Sequence, residues 1–300
     1  MRILSRVLAL GAGAWLAAPA SAFTVFACEP EWAALTRVLV PDATLHVATH
    51  AAQDPHHIEA RPALIAQMRK ADLVVCTGAA LEVGWLPMLQ QRSGNAKAQD
   101  VFFAASHVPL VDAKPGAVAG PWSGDVHAEG NPHVHADPHR LLKVANALAQ
   151  RLQRERPSQR EAIEARRASF EAQWSAQVSD WERRAAGLRG KTVAAQHTGF
   201  GYVWQWLGLR QVADLEPQPG MAPTPGHLQR LLGALKAQPP LAIVVSSYQD
   251  PRSGRWVAAQ LGGRVPLLVL PATVADDAGA DELVAWMDGL VAALLQAGAP

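Results

Sequence analysis

The sequence predicts an α/β protein of two lobes, each a mostly parallel sheet flanked by helices, joined by one long rigid helix. Three observations carry this expectation. Short β-prone runs alternate with amphipathic segments between Phe23 and Ala104, the pattern of a parallel sheet covered by helices on both faces. The alternation restarts at Lys191 and continues to Leu295, so a second lobe of the same class follows. Between them, Ser158 to Leu188 has no Pro, and no Gly before Gly187, and it sets Ile163, Phe170, Trp174, Val178, Trp181, Ala185 and Leu188 at intervals of seven, four, four, three, four and three. That period is helical, and about 30 residues at 1.5 Å each reach ~45 Å. A dimerising coiled coil is the alternative, but the apolar repeat is short and its flanking charges are unpatterned, so a monomer is expected.

In chain order, Arg2 and Arg6, the apolar run Val7 to Leu16 and the small residues Ala20-Ser21-Ala22 read as a secretory signal, residues 1–22, removed on export to the periplasm. The first lobe is assigned to residues 23–157. Within it, strands are expected at Phe23 to Cys28, Thr44 to Thr49, Asp72 to Gly78 and Val101 to Ala104, and helices at Glu31 to Val40, Ala60 to Ala71, Leu81 to Gln91 and Pro138 to Arg154. The connector takes residues 158–188 and the second lobe 189–300. There, strands are expected at Thr192 to Ala195, Val212 to Leu215, Leu241 to Ser246 and Pro266 to Leu270. Helices are expected from Tyr202 to Leu207, Thr224 to Ala237, Arg255 to Leu261 and Asp281 to Leu295.

Composition narrows the partners. The chain of 300 residues has 27 Lys and Arg against 26 Asp and Glu, a formal net charge of +1. That balance gives no electrostatic case for nucleic acid or an anionic membrane surface. Cys28 and Cys76 both fall at the carboxyl ends of expected strands, and in an oxidising compartment they are expected to pair. Two buried free thiols are the alternative.

The chemistry is concentrated in histidine. Gly124 to His139 carries His127, His133, His135 and His139 among Gly, Asn-Pro and Asp-Pro, poor helix and strand material, and Asp137-Pro138 opens a helix. Ligands of parallel sheets bind outside the carboxyl ends of the strands, which also brings forward the loop with His50, His56 and His57, and His197 after the first strand of the second lobe. His56, His133 and His197 occupy comparable places, and imidazole is a ligand for Zn(II), Cu(II), Fe and Ni. His127 and His135 are candidates for a secondary site or a capture loop, and His57 is a weaker one. His46 is expected to be packed in its strand, and His107, His139 and His227 to be solvent-facing or capping. Glu59, Arg61 and Glu82 are candidates for hydrogen bonds that orient ligands, or for ordinary salt bridges.

Four segments together resemble a family. They are Asp54-Pro55-His56-His57 running on to Pro62, Ala71-Asp72-Leu73-Val74-Val75-Cys76-Thr77-Gly78, Gly130-Asn131-Pro132-His133 with Asp137-Pro138, and Gln196-His197-Thr198-Gly199-Phe200-Gly201-Tyr202. In this order, with the long helix between, they resemble the zinc and manganese ABC-transporter solute-binding proteins, the ZnuA/TroA-like group. The resemblance implies that His56, His133 and His197 hold a metal ion as cargo, and that an inner-membrane ABC permease receives it. It also implies a fourth ligand, a carboxylate just after the last strand of the second lobe. Here that strand runs into Leu270-Pro271-Ala272-Thr273-Val274-Ala275-Asp276-Asp277, with Ala or Thr in the acid's place. Asp276 is expected to reach back, with Asp277 as its alternative. Water or another group completes the shell otherwise, and the pair is then a solvated turn.

Three imidazoles with at most one carboxylate favour Zn(II) over Mn(II), which prefers oxygen donors. The leading expectation is a periplasmic zinc-capture protein, with a periplasmic metallochaperone as a further partner. A zinc buffer without a transporter is one alternative. A zinc hydrolase is another, since three His and an open water position also describe a hydrolytic site, but no general acid or base stands out. Ligand imidazoles must be neutral, so zinc affinity is expected to fall as the pH drops below ~6.5. Calorimetric titration from neutral to mildly acid pH checks this, and an affinity that does not change would contradict a three-histidine site.

Overall fold

The computed structural model describes residues 22–114, 116, 125–275 and 279–298. Most of the expected signal segment, and Asp276 and Asp277, therefore lie outside the described residues. No helix among the described residues is long and apolar enough to cross a membrane.

Two four-stranded sheets form the framework. The first orders β2 (Thr44–Val47), β1 (Thr24–Ala27), β3 (Leu73–Cys76) and β4 (Val101–Phe103), and every ladder is parallel. The second repeats the order with β6 (Arg210–Asp214), β5 (Thr192–Ala195), β7 (Ile243–Ser246) and β8 (Leu267–Leu270), again all parallel. In each sheet the chain turns one way from the first strand and then crosses to its other side, which places a switch point between the two central strands.

Proline sets many of the helix starts, since it lacks an N–H that the first turn would leave unpaired. Pro30 opens α1 (Pro30–Leu39), Pro62 opens α2 (Pro62–Lys70) and Pro87 lies in the first turn of α3 (Leu86–Ser93). Pro138 opens α4 (Pro138–Glu155), where the Asp137 carboxylate caps the His139 and Arg140 amides. The helix expected from Leu81 begins only at Leu86. Gly78, Ala79 and Ala80 all have positive φ, and the Glu82 carboxylate turns back to accept the Thr77 and Gly78 amides, so this stretch is a tight turn.

The long helix α5 (Arg160–Ala185) runs 26 residues, with short 3₁₀ turns at either end. Its buried residues are Ile163, Phe170, Trp174, Val178, Trp181 and Ala185, with Leu188 just beyond, the apolar series that defined the period. The second lobe continues with α6 (Gly201–Leu207), α7 (Pro225–Ala237), α8 (Arg252–Gln260) and α9 (Ala280–Ala297). Helix α9 packs back on α1 and α5. One continuous apolar core consequently joins Trp32 and Leu35 of α1, Trp174 and Trp181 of α5, Val193 of β5, and Met287 and Val291 of α9.

Cys28 and Cys76 form a disulfide across the switch point of the first sheet, closing a loop with a sequence separation of 48. Register explains it, because β1 and β3 are neighbours with Ala27 opposite Val75. Beside the bridge, Glu29 and Glu82 are buried and hydrogen-bonded to each other. Burial, then the Glu82 and Glu31 carboxylates, hold Glu29 well above the ordinary carboxylate range. Burial pushes Glu82 up to about 7 against the amides it accepts from.

A carboxyl whose folded pKa is raised opposes folding once it must ionise. The penalty is absent below its ordinary value of 4.5 and complete above the folded value, about 7 for Glu82. Glu29→Gln keeps the contacts and removes a charge, so the metal-free variant should melt higher than wild type at pH ~8 and alongside it at pH ~4. Thermal denaturation across that range checks this; a difference that ignores pH would contradict it.

Candidate metal centre

The two sheets turn the carboxyl ends of their strands toward a common cleft, and the histidines arrive there from different elements. His56 follows β2, where the Asp54 carboxylate accepts the His56 amide at 3.0 Å and so curls the Asp-Pro-His turn inward. His133 follows an equivalent turn in which the Asn131 side chain accepts its amide at 3.0 Å. His197 lies just past β5 with φ +71°, a left-handed conformation uncommon for a residue with a side chain. Asp214, at the end of the neighbouring β6, holds it there by accepting its amide at 3.2 Å.

The structure brings His56, His133 and His197 together: all three are buried, with ring nitrogens within 4.8 Å of one another. Their ring centroids are 5.4–5.8 Å apart, the shortest between His56 and His197 and the longest between His133 and His197. His133 Nε2 and His197 Nε2 are buried and have no hydrogen-bond partner. Such orphaned atoms are costly unless something occupies the space they face. His127 joins them, with its Nε2 3.2 Å from His56 Nε2.

Outward-facing nitrogens are anchored. His56 Nδ1 meets Asp54 Oδ1 at 2.7 Å, His197 Nδ1 meets Glu216 Oε2 at 3.0 Å, and His127 Nδ1 meets the Ala79 carbonyl at 3.1 Å. Carboxylate and carbonyl oxygens only accept, so each of these Nδ1 atoms carries the proton and each Nε2 presents a lone pair inward. Burial would raise the Asp54 carboxyl, yet His56 draws it down to about 2, so it stays ionised. Burial, then the neighbouring imidazoles, push His133 well below its ordinary value. Burial and His56 push His127 down to about 3. His197 goes the other way: burial lowers it, but Glu216, with help from Asp125 and Asp214, outweighs burial and raises it. Imidazoles converging on one point, most of them with acceptors behind them, are the kind of donor set a borderline cation such as zinc takes.

Other residues lie elsewhere. His135, expected in a secondary site or capture loop, lies 6.1 Å ring to ring from His133 but engages its nitrogens elsewhere: its Nε2 donates to the Ala272 carbonyl at 3.0 Å, its Nδ1 lies 3.1 Å from Glu31 Oε1, and its ring stacks on Trp286. Thr273 donates its hydroxyl to Glu31, so the two residues standing where an acid was sought, Ala272 and Thr273, are engaged in this contact between the lobes. His57 is exposed, with its Nε2 3.6 Å from Asp125. His46 is half-buried in β2, His107 stacks on Phe102, His139 pairs with Glu182, and His227 donates to the Asp214 carbonyl. Glu59 and Arg61 are exposed, and Glu82 serves the Thr77 turn instead of a ligand. The orienting groups are Asp54, Glu216 and the Ala79 carbonyl. Asp54 was not among the residues expected in this role, though its place two residues before His56 is a local signal for an Asx turn, whereas Glu216 has only its place after β6 as a signal.

Two parallel α/β lobes bridged by a long helix, with a buried histidine cluster at their facing strand ends, define a two-lobed binding-protein architecture. A crystal structure of ZnuA shares it, with a TM-score of 0.77 at 19% identity, covering 93% of this chain and 100% of that one. The family described as ZnuA, zinc-uptake complex component A, periplasmic, matches residues 25–297, and the chain belongs to that family. The high-affinity zinc uptake system protein ZnuA of Bacillus subtilis is 25% identical over 226 residues, 72% of this chain and 67% of that protein. The zinc-binding lipoprotein AdcA of Streptococcus pneumoniae serotype 4 is 24% identical over 199 residues, 65% of this chain but only 39% of AdcA's length.

Glu216 also accepts the Gly220 amide at 3.0 Å and so fixes the turn beneath His197. Glu216→Ala should weaken metal binding roughly 10–100-fold, the usual cost of losing the partner behind a ligand imidazole, while the far-ultraviolet circular dichroism stays unchanged. Competition against a chromophoric zinc chelator measures it, and full affinity in the variant would contradict the orienting role.

Proposed function

We propose that this protein captures Zn(II) in the periplasm through His56, His133 and His197, and passes it to an inner-membrane ABC permease. The carrying observation is the pair of buried Nε2 atoms on His133 and His197 that have no partner, facing His56 whose Nδ1 is held by Asp54. The relatives' descriptions as zinc-uptake and zinc-binding proteins support zinc as the cargo, and nitrogen donors favour it over Mn(II). Residues 23–157 and 189–300 serve as the two lobes that supply ligands, and 158–188 as the connector.

Binding suits the site better than hydrolysis. Asp54 and Glu216, the carboxylates hydrogen-bonded to the imidazoles of the cluster, are both occupied as acceptors of Nδ1–H, which uses them for orientation and not for moving a proton from water. The shared core of α1, α5 and α9 fits small adjustments on loading in place of wide hinge closure.

His133→Ala should abolish tight, one-to-one zinc binding in calorimetry while leaving the fold intact by circular dichroism. Cells lacking the protein should take up zinc poorly when it is scarce, and the His133→Ala protein should not restore uptake. Restoration by that variant would sink the assignment. Normal uptake in the deletion strain would point to a zinc buffer instead.

A further inference from the structure

We propose that His127 is the fourth ligand of the same ion, so that the site is built from four imidazoles and no carboxylate. This rests on the reading of His56, His133 and His197 as its ligands, and it moves the fourth position from the second lobe's last strand to the loop closing the first lobe.

The argument starts with two nitrogens. His56 Nε2 and His127 Nε2 lie 3.2 Å apart, a distance open to either a hydrogen bond or a shared cation. A hydrogen bond needs a proton on one of them. His56 donates its N–H to Asp54 and His127 donates its own to the Ala79 carbonyl, each through Nδ1. Two lone pairs then face each other across 3.2 Å, an arrangement that repels unless a cation lies between them. Two nitrogens each about 2.0–2.1 Å from a tetrahedral zinc are separated by about 3.3 Å, so the pair already matches one edge of the coordination tetrahedron. The His127 ring also lies 6.4 Å from that of His133, edge to face.

His127 is held as a ligand is held. Its residue is only 7% exposed. The carbonyl behind it belongs to Ala79, whose φ of +50° follows Gly78 at +82°, a strained turn kept in place by the Glu82 carboxylate. The second lobe braces the loop from the other side: at Gly220, φ +77°, a Cβ would fall 2.8 Å from Asp125 Oδ2, so only glycine lets the two segments approach this closely. Gly220 in turn donates its amide to Glu216, the partner of His197. The loop of His127 and the orienting group of His197 therefore share one support.

The position that would otherwise carry the acid is engaged elsewhere, since Ala272 and Thr273 are bound to His135 and Glu31. An all-imidazole shell discriminates against Mn(II) more strongly than one containing a carboxylate.

X-ray absorption at the zinc edge of the full, zinc-loaded protein tests this. Four imidazoles are expected in wild type and three in His127→Ala, with zinc affinity in the variant lower by roughly 100-fold, beyond what loss of an outer partner usually brings. His127→Asp should restore much of the zinc affinity and narrow the preference for Zn(II) over Mn(II). Three imidazoles with an oxygen donor in wild type, or unaltered affinity in His127→Ala, would overturn the proposal. A parallel His133→Ala titration separates the two levels: loss of binding there with no effect at His127 rejects the fourth ligand alone. Retained binding in His133→Ala rejects the reading of the site.

Discussion

What the cleft can do depends on where three Nδ1 protons go. Asp54, Glu216 and the Ala79 carbonyl each accept a hydrogen bond from one, and that choice turns the remaining lone pair of each of these imidazoles inward. Without those acceptors the rings could flip or exchange tautomers, and some of the buried nitrogens would find one another as hydrogen-bond partners. With them, the anchored rings have no internal way to satisfy their inner atoms, and the orphaned Nε2 of His197 follows directly. The lone pairs that face the cleft are thus aimed by acceptors that lie behind the rings.

Those acceptors are in turn placed by the sheets. Both sheets use the same strand order, so each presents a switch point at its carboxyl edge, and the two edges face one cleft. Asp214 and Glu216 come from the end of β6, which pairs with β5, the strand that delivers His197. On the opposite edge, the disulfide joins the ends of β1 and β3, next to the turn that presents Ala79. Electrostatics, backbone strain and sheet register agree at each of these points, which is the consistency expected where a site is built into a fold.

Much of this was legible in the sequence. The strands read as short apolar runs closed by turn residues, and the buried face of α5 read directly from the spacing of Ile163, Phe170, Trp174, Val178 and Trp181. His56 and His133 were found by their places, one in the loop after a strand and the other in the histidine-bearing loop, and the turns that hold them prove to be local, Asp54 and Asn131 each accepting the amide two residues on. The start of α3 was misplaced because nothing in Leu81 to Trp85 announces that Glu82 will fold back on the Thr77 amide. The roles of His127 and His135 could not be separated by spacing, since both flank His133. Only the three-dimensional path sends one toward His56 and the other against Trp286. Glu216 escaped notice for the same reason, because its partner is remote in the chain and adjacent only through strand pairing.

The packing of α9 onto α1 and α5 has a mechanical consequence. A chain that ends by crossing back to its first lobe is bolted at two places, by the connector and by its own tail. Pulling the lobes apart would expose Trp32, Trp174 and Trp181 together, and each fully exposed large side chain costs about 1.5–3 kcal/mol. At that cost the separated state is a small minority of the population. The strand ends that carry His56 and His197 are therefore mounted on a frame closed at two places, and the cleft between them is held at a fixed width by packing remote from it.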